Sequence, residues 1–338
     1  MKLHNYFKDF LTNISLTQNQ ISRIKTTHET LRKRLDDDEK LSDMIIDTFL
    51  QGSYKRYTAI SPKNGEKSDV DIVVVMDLDK DEKQPNELFN KFKDFLNEHY
   101  EDKYKFNNKS IRITLSDVDI DLVITIPCDS SDNFDKNFFN KSVKEFKDED
   151  IDSENIEKGY LYLPNVDENT WIKINPTAQI INTTLKNKES NGWYIKVVKC
   201  IKWWQRLNYP DLSVKSYPLE RFIFECCPND ITCAADGVYL TFKNMVTYNQ
   251  KPVLKDFALE TDVFENISDE MYDEFYSKAC EAAEISKQAR FEEDGDESIR
   301  LWKELFGSKF DDSNDSNDNN SGFTKPNKKA SVPSGRFA

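Results

Sequence analysis

The chain has 338 residues, with 61 Asp and Glu against 47 Lys and Arg and a formal charge of −14. That length allows two domains or one large domain with a helical extension, while the acidic excess opposes a broad basic face for nucleic acid and leaves room only for a local basic groove. The longest apolar run, Ile72 to Met76, is strand-sized and far below the roughly 18 residues of a membrane span, and the charge-broken amino terminus does not read as a secretory signal, so a cytoplasmic protein is expected.

In chain order, residues 17 to about 38 read as a long amphipathic helix. Thr17 is its candidate N-cap, and Ile21, Ile24, Thr27 or His28, Leu31 and Leu35 recur near helical spacing. An apolar stretch from Ile45 to Leu50 then runs into Gly52-Ser53, and Tyr54 to Thr58 continues as a strand or a turn feeding a helix. The Pro62 to Gly65 segment is a turn. Residues 69 to 77 are β-branched and alternate, which predicts a strand with Asp69, Asp71, Val73 and Val75 on one face. A helix follows at about 86 to 99, and then a strand or hairpin over 110 to 126 with Asp117, Asp119 and Asp121 on a single face.

From Trp193 onward the periodicity is helical, at 193 to 208, 215 to 227, 238 to 247, 268 to 291 and 296 to 306. The acidic, turn-rich stretch from Lys144 to Pro176 contains the boundary. The resulting division is 1 to 165, a mixed first unit with the amino-terminal helix; 166 to 310, a helical lobe; and 311 to 338, a tail rich in Asp, Asn and Ser that is expected to be disordered. Six cysteines include no CxxC pair, and the cluster Cys226, Cys227 and Cys233 lacks the fourth ligand of a closed zinc site, so core packing is expected of it.

Asp69 and Asp71 sit two apart on one strand and so point the same way, as carboxylates that bind divalent cations must. Asp121 is the third carboxylate of choice, because Leu122-Val123-Ile124 carries it into the sheet; Asp119, on the same face, is its rival. A lone Asp-x-Asp is ordinarily a solvated strand end. Here it follows Gly52, whose missing Cβ lets the backbone approach a triphosphate, and Ser53, whose hydroxyl can donate to the phosphate oxygens. In the helical part, Lys199, Lys202 and Arg206 form a basic stripe opposite an apolar one of Trp193, Val197 and Trp204. Ser216-Tyr217, opening the next helix, offers a hydroxyl for phosphate and a ring that could stack on a base or simply pack.

With GSYKRYTAI at 52 to 60, DVDIVVV at 69 to 75, VDIDLVI at 118 to 124, WIKINP at 171 to 176, VVKCIKWWQRLN at 197 to 208, KSYPLE at 215 to 220 and LFGSKF at 305 to 310, the chain resembles the bacterial cGAS/DncV-like nucleotidyltransferases (CD-NTases) of CBASS anti-phage defence. The resemblance implies an α+β fold, in which a polymerase-β-like palm with an amino-terminal spine helix meets a carboxy-terminal helical lobe. It implies two Mg2+ ions (Mn2+ as a substitute) on Asp69, Asp71 and Asp121, and a donor nucleotide held by Gly52, Ser53, Lys202, Ser216, Tyr217 and, more weakly, Lys199. The implied reaction is template-independent condensation of two or three nucleoside triphosphates into a cyclic messenger for a separate effector, with release of pyrophosphate. The zinc thumb of the animal relative is absent, which argues against a double-stranded nucleic-acid activator. The small carboxy-terminal Ala338 suggests conjugation by a ubiquitin-transferase-like partner. A nucleotidyltransferase acting on RNA ends or a small molecule, and a non-catalytic nucleotide-binding scaffold, are the rival readings.

Overall fold

Thr17 does cap a helix, and does so reciprocally: its hydroxyl accepts from the Gln20 amide while the Gln20 side chain accepts from the Thr17 amide. In the computed structural model, which describes residues 2–63, 66–80, 84–128, 159–208 and 216–310, this helix is α2 (Gln18–Asp37), preceded by α1 (His4–Ile14). Strand β1 (Ile45–Gln51) follows, then a single helical turn α3 (Gly52–Lys55) and strand β2 (Ser68–Met76). The helix expected over 86 to 99 is interrupted: α4 (Pro85–Leu88) and α5 (Lys93–Tyr100) are separated by a 3₁₀ turn at Phe89–Phe92. Strands β3 (Tyr104–Phe106), β4 (Ile111–Thr114) and β5 (Val118–Pro127) come next, so the 110 to 126 segment is a hairpin.

Among the described residues the sheet has seven strands, in the order β1-β2-β5-β4-β3; β6 (Leu161–Asn165) joins the far end of β5, and β7 (Thr170–Ile174) pairs with β6. The two central strands, β2 and β5, run parallel. One sheet face carries Val70, Ile72, Val74, Ile120, Leu122 and Ile124 and packs beneath Ile24, Leu31 and Leu35 of α2. The other face carries Val73, Val75 and Val123, and Ile180 and Ile181 of α6 (Pro176–Glu189) cover it. That cover reaches only the apolar half of the strands, so the acidic beginnings of β2 and β5 lie on the same face but outside the core.

The helical part continues with α7 (Tyr194–Asn208), α8 (Ser216–Cys226), α9 (Ala234–Met245), α10 (Asp269–Phe291) and α11 (Gly295–Phe306). Its core also takes in α1 from the opposite end of the chain: Phe7 meets the Trp302 ring edge-on at 4.9 Å, and Phe10 stacks on Phe306 at 4.6 Å. Strand β7, in turn, lies beyond residue 165 yet completes the sheet. The division at residues 165 and 166 is therefore crossed twice, because the amino-terminal helix and the sheet both recruit apolar partners distant in sequence. Cys226, Cys227 and Cys233 are buried in the helical core as free thiols. Among the described residues no helix is long and apolar enough to cross a membrane. The Lys144 to Lys158 part of the boundary stretch, the tail from 311 and Ala338 lie outside the described residues.

Candidate active site and its relatives

The parallel pairing of β2 with β5 sets Asp69 beside Asp119 and Asp71 beside Asp121. Neighbouring strands lie about 4.8 Å apart and alternate side chains share a face, so four carboxylates project together from two adjacent strands. Asp117 does not join them. It precedes β5 in the hairpin turn and pairs instead with Arg23 of α2 at 2.5 Å, both side chains exposed, because the strand alternation begins only at Val118.

The carboxylates converge on a cation that belongs to the protein. Arg112, paired directly with Asp121 across β4 and β5, donates from Nη1 to Asp121 Oδ2 at 2.5 Å and from Nη2 to Asp69 Oδ1 at 2.6 Å and Asp119 Oδ2 at 3.1 Å. Ser110 Oγ donates to the other Asp121 oxygen at 3.3 Å. Asp119 Oδ1 accepts no hydrogen bond and has only the Lys67 ammonium at 3.7 Å. No three His, Cys, Asp or Glu side chains among the described residues enclose a single ion position. Arg112 was not singled out from the sequence. The signal was there in the IRIT strand, where Ile111 and Ile113 point into the core and a lone Arg faces the acidic strand.

Gly52 forms the floor of the site. Its φ of +74° lies in the left-handed region, and a Cβ there would stand 1.9 Å from Asp71 Oδ2, so only glycine lets the α3 turn close over this carboxylate. Gln51, just before it, pairs with Asp71 across β1 and β2. Burial, and after it the neighbouring Asp121 charge, push Asp71 up to about 7. Ser53 lies in the same turn, where its carbonyl accepts from Thr58 and Ala59 at 2.9 and 3.1 Å and so curls the following segment back on itself.

A second ionic cluster adjoins the first. Glu220 of α8 accepts from Lys202 Nζ at 2.8 Å, from Ser216 Oγ at 3.2 Å, from Thr58 Oγ1 at 3.0 Å, and from Arg56 through Nε and Nη2 at 3.3 and 3.1 Å. Burial alone would raise Glu220, but Lys202 and Arg56 outweigh it and hold the carboxylate down at about 2. The Arg56 charge also reaches Asp71, partly offsetting its upward shift, and the guanidinium lies 6.0 Å from the Tyr217 ring centre. The Tyr217 hydroxyl donates to Asp256. Lys202 of the basic stripe is thus buried against Glu220, with 9% of its side chain exposed. Lys199 is in neither cluster: its ammonium donates to Ser15 Oγ, at the end of α1, at 3.1 Å. Arg56 and Glu220, unremarked in the sequence, stand inside the GSYKRYTAI and KSYPLE segments.

The chain matches the SMODS family, the Second Messenger Oligonucleotide or Dinucleotide Synthetase domain, over residues 1–148. It is 36% identical to a cyclic AMP-AMP-GMP synthase of Enterobacter hormaechei subsp. hoffmannii, with 100% of both chains covered. The chain belongs to the bacterial cGAS/DncV-like nucleotidyltransferases. A cyclic AMP-AMP-AMP synthase of Acinetobacter sp. is a more distant relative of this CD-NTase, 24% identical with 92% of this chain and 86% of that one covered. The fold agrees as well: Vibrio cholerae DncV, a cyclic AMP-GMP synthase, superposes with a TM-score of 0.71 at 15% identity, covering 91% of this CD-NTase and 96% of DncV. Like its family, this CD-NTase is a nucleotidyltransferase that builds a second-messenger oligonucleotide from nucleoside triphosphates.

Proposed function

We propose that this CD-NTase makes a cyclic trinucleotide from two ATP and one GTP. Support for that product comes from the full-length, 36% identical relative named for cyclic AMP-AMP-GMP synthesis. A like relative from Salmonella paratyphi B, described as a probable synthase of the same product, adds to it. The observation that carries the catalytic reading is the in-register pairing of Asp71 with Asp121 beside Gly52, which faces carboxylates toward the turn that would receive a triphosphate.

Asp69, Asp71 and Asp121 are the residues that would hold divalent ions, Mg2+ before Mn2+. The donor set fits, since all are hard oxygens and Arg112 already stands among them as a cation. Such ions would lower the pKa of the acceptor hydroxyl and neutralise the departing pyrophosphate. Asp121 would take the proton of that hydroxyl once Arg112 releases it. Gly52 admits the triphosphate to the backbone of α3, and the Ser53 hydroxyl donates to its oxygens. Lys202 and Ser216, fixed by Glu220, set the wall beside Arg56 and Tyr217 on which a base would stack. The messenger would go to a separate effector, in anti-phage signalling.

Incubating the purified full-length protein with labelled ATP and GTP and Mg2+ tests this. Phosphatase-resistant label in a product whose mass equals two AMP and one GMP less one water for every linkage of the closed ring is the expected result. Label appearing only on added RNA, or a product made from ATP alone, rejects the reaction or the nucleotide choice respectively.

A further inference from the structure

Beside the helical core lies an open cavity of about 1020 Å3, lined by α1, the beginning of α2, the amino-terminal half of α7 and Tyr57. None of Gly52, Ser53, Asp69, Asp71, Asp119, Asp121 or Arg112 lines it. Its charged lining is of one sign: Lys2, Lys8, Lys196 and Lys199, with no Asp or Glu, in a chain where acids outnumber bases by 61 to 47. Lys2 reaches outward to Asp236 at 3.8 Å. The other three have no carboxylate within ion-pair distance among the described residues. Lys199 rests on Ser15 Oγ, Lys196 sits 3.9 Å above the Trp193 ring, and Lys8 is exposed.

Holding the half-buried ammonium groups of Lys196 and Lys199 without a carboxylate partner among the described residues is unfavourable, and a bound anion relieves it. Burial lowers both Lys196 and Lys199, in keeping with that strain. Apolar wall surrounds the lysines, and Tyr57, 44% exposed, presents a ring. We infer that this cavity is a second ligand site, separate from the catalytic cleft, for a nucleoside diphosphate or triphosphate, with Lys8, Lys196 and Lys199 taking the phosphates and the apolar wall with Tyr57 taking the base. The volume suits one nucleotide, and the pairing of ammonium groups with aromatic rings suits a phosphate joined to a flat base.

The site also has a route to the reaction. Tyr57 has a left-handed φ of +61°, and its amide bonds the carbonyl of Tyr54; the next residue, Thr58, bonds the carbonyl of Ser53 and the carboxylate of Glu220. A ligand against Tyr57 therefore bears on the same short segment that shapes the Gly52-Ser53 turn.

The test is calorimetric titration of the full-length protein with ADP in EDTA, where the acidic catalytic cleft has no metal with which to hold a diphosphate. Wild-type protein is expected to bind ADP, Lys8→Glu with Lys196→Glu to bind it about tenfold more weakly or worse, and Ser53→Ala to bind it unchanged. The paired Lys8→Gln and Lys196→Gln change, with unaltered thermal unfolding, guards against a folding defect. Absence of ADP binding by wild type in EDTA, equal binding by the charge-reversed protein, or dependence of duplex DNA binding rather than ADP binding on these lysines would each overturn the inference. Because no metal or turnover enters, a protein that binds ADP in this way but makes no oligonucleotide upholds the inference while rejecting the proposed function.

Discussion

Two ionic clusters lie side by side in this protein, built from the same side-chain chemistry to opposite ends. Asp69, Asp71, Asp119 and Asp121 set four carboxylates against the guanidinium of Arg112 and the more distant ammonium of Lys67, and Asp69 keeps 62% of its side chain exposed. Glu220 sets one carboxylate against the two cations Arg56 and Lys202, with 6–9% of each side chain exposed. The first cluster is short of positive charge and open, so it can recruit more; the second is saturated and closed, so its charges hold the two structural halves together. An unmet charge at a solvent-accessible position, rather than ion pairing itself, distinguishes the candidate site.

The comparison breaks most sharply under Asp69→Ala with Asp71→Ala. Removing the acids that would hold the ions takes away several kcal/mol of charge stabilisation, about a thousandfold or more in rate, with the helical circular dichroism retained. Product formation followed by labelled nucleotide, with melting measured in parallel, checks both halves.

Glu220→Ala should do the reverse. It leaves Arg56 and Lys202 buried without a counter-charge and is expected to destabilise the fold by about 3–5 kcal/mol, read from urea unfolding. If unfolding were unchanged, the second cluster would not be the structural one.

Gly52→Ala forces a Cβ against Asp71 Oδ2 at a φ that disfavours it. Synthesis is expected to fall by about a hundredfold through displacement of that carboxylate, with a smaller change in melting. Arg112→Met, measured without metal, should lower stability by about 1–2 kcal/mol, and saturating Mg2+ should narrow the gap by supplying the charge that Arg112 had provided.

The finest contrast is in pH. Asp71 is raised to about 7, so between the ordinary carboxylate range and that value the folded chain holds a proton the unfolded chain has released; the metal-free protein should lose stability as pH rises through that window, and Asp71→Asn should flatten the slope. Glu220 is lowered to about 2, so its contribution is complete above the ordinary Glu range and is lost as pH falls toward 2. Unfolding curves across pH 2 to 8 in EDTA (a range chosen to bracket both groups) would separate the two slopes, and slopes of the same sign would contradict the assignment.

Local pattern determined much of this molecule. Strand alternation put Asp69 and Asp71 on one face, the Thr17 cap began α2 and helical periodicity placed the five helices after Trp193, because these signals depend on residues a few positions apart. Strand pairing and side-chain convergence were decided only in three dimensions. The pairing of β2 with β5 brought Asp119 in beside Asp121, the hairpin turn sent Asp117 to Arg23, Arg112 came in from β4, and α1 crossed to the helical core. Lys202 reads in the sequence as one cation of a basic stripe, and α8 brings Glu220 against it. Charge neutralisation acts through space with whatever the fold delivers, and no spacing along the chain records the partner.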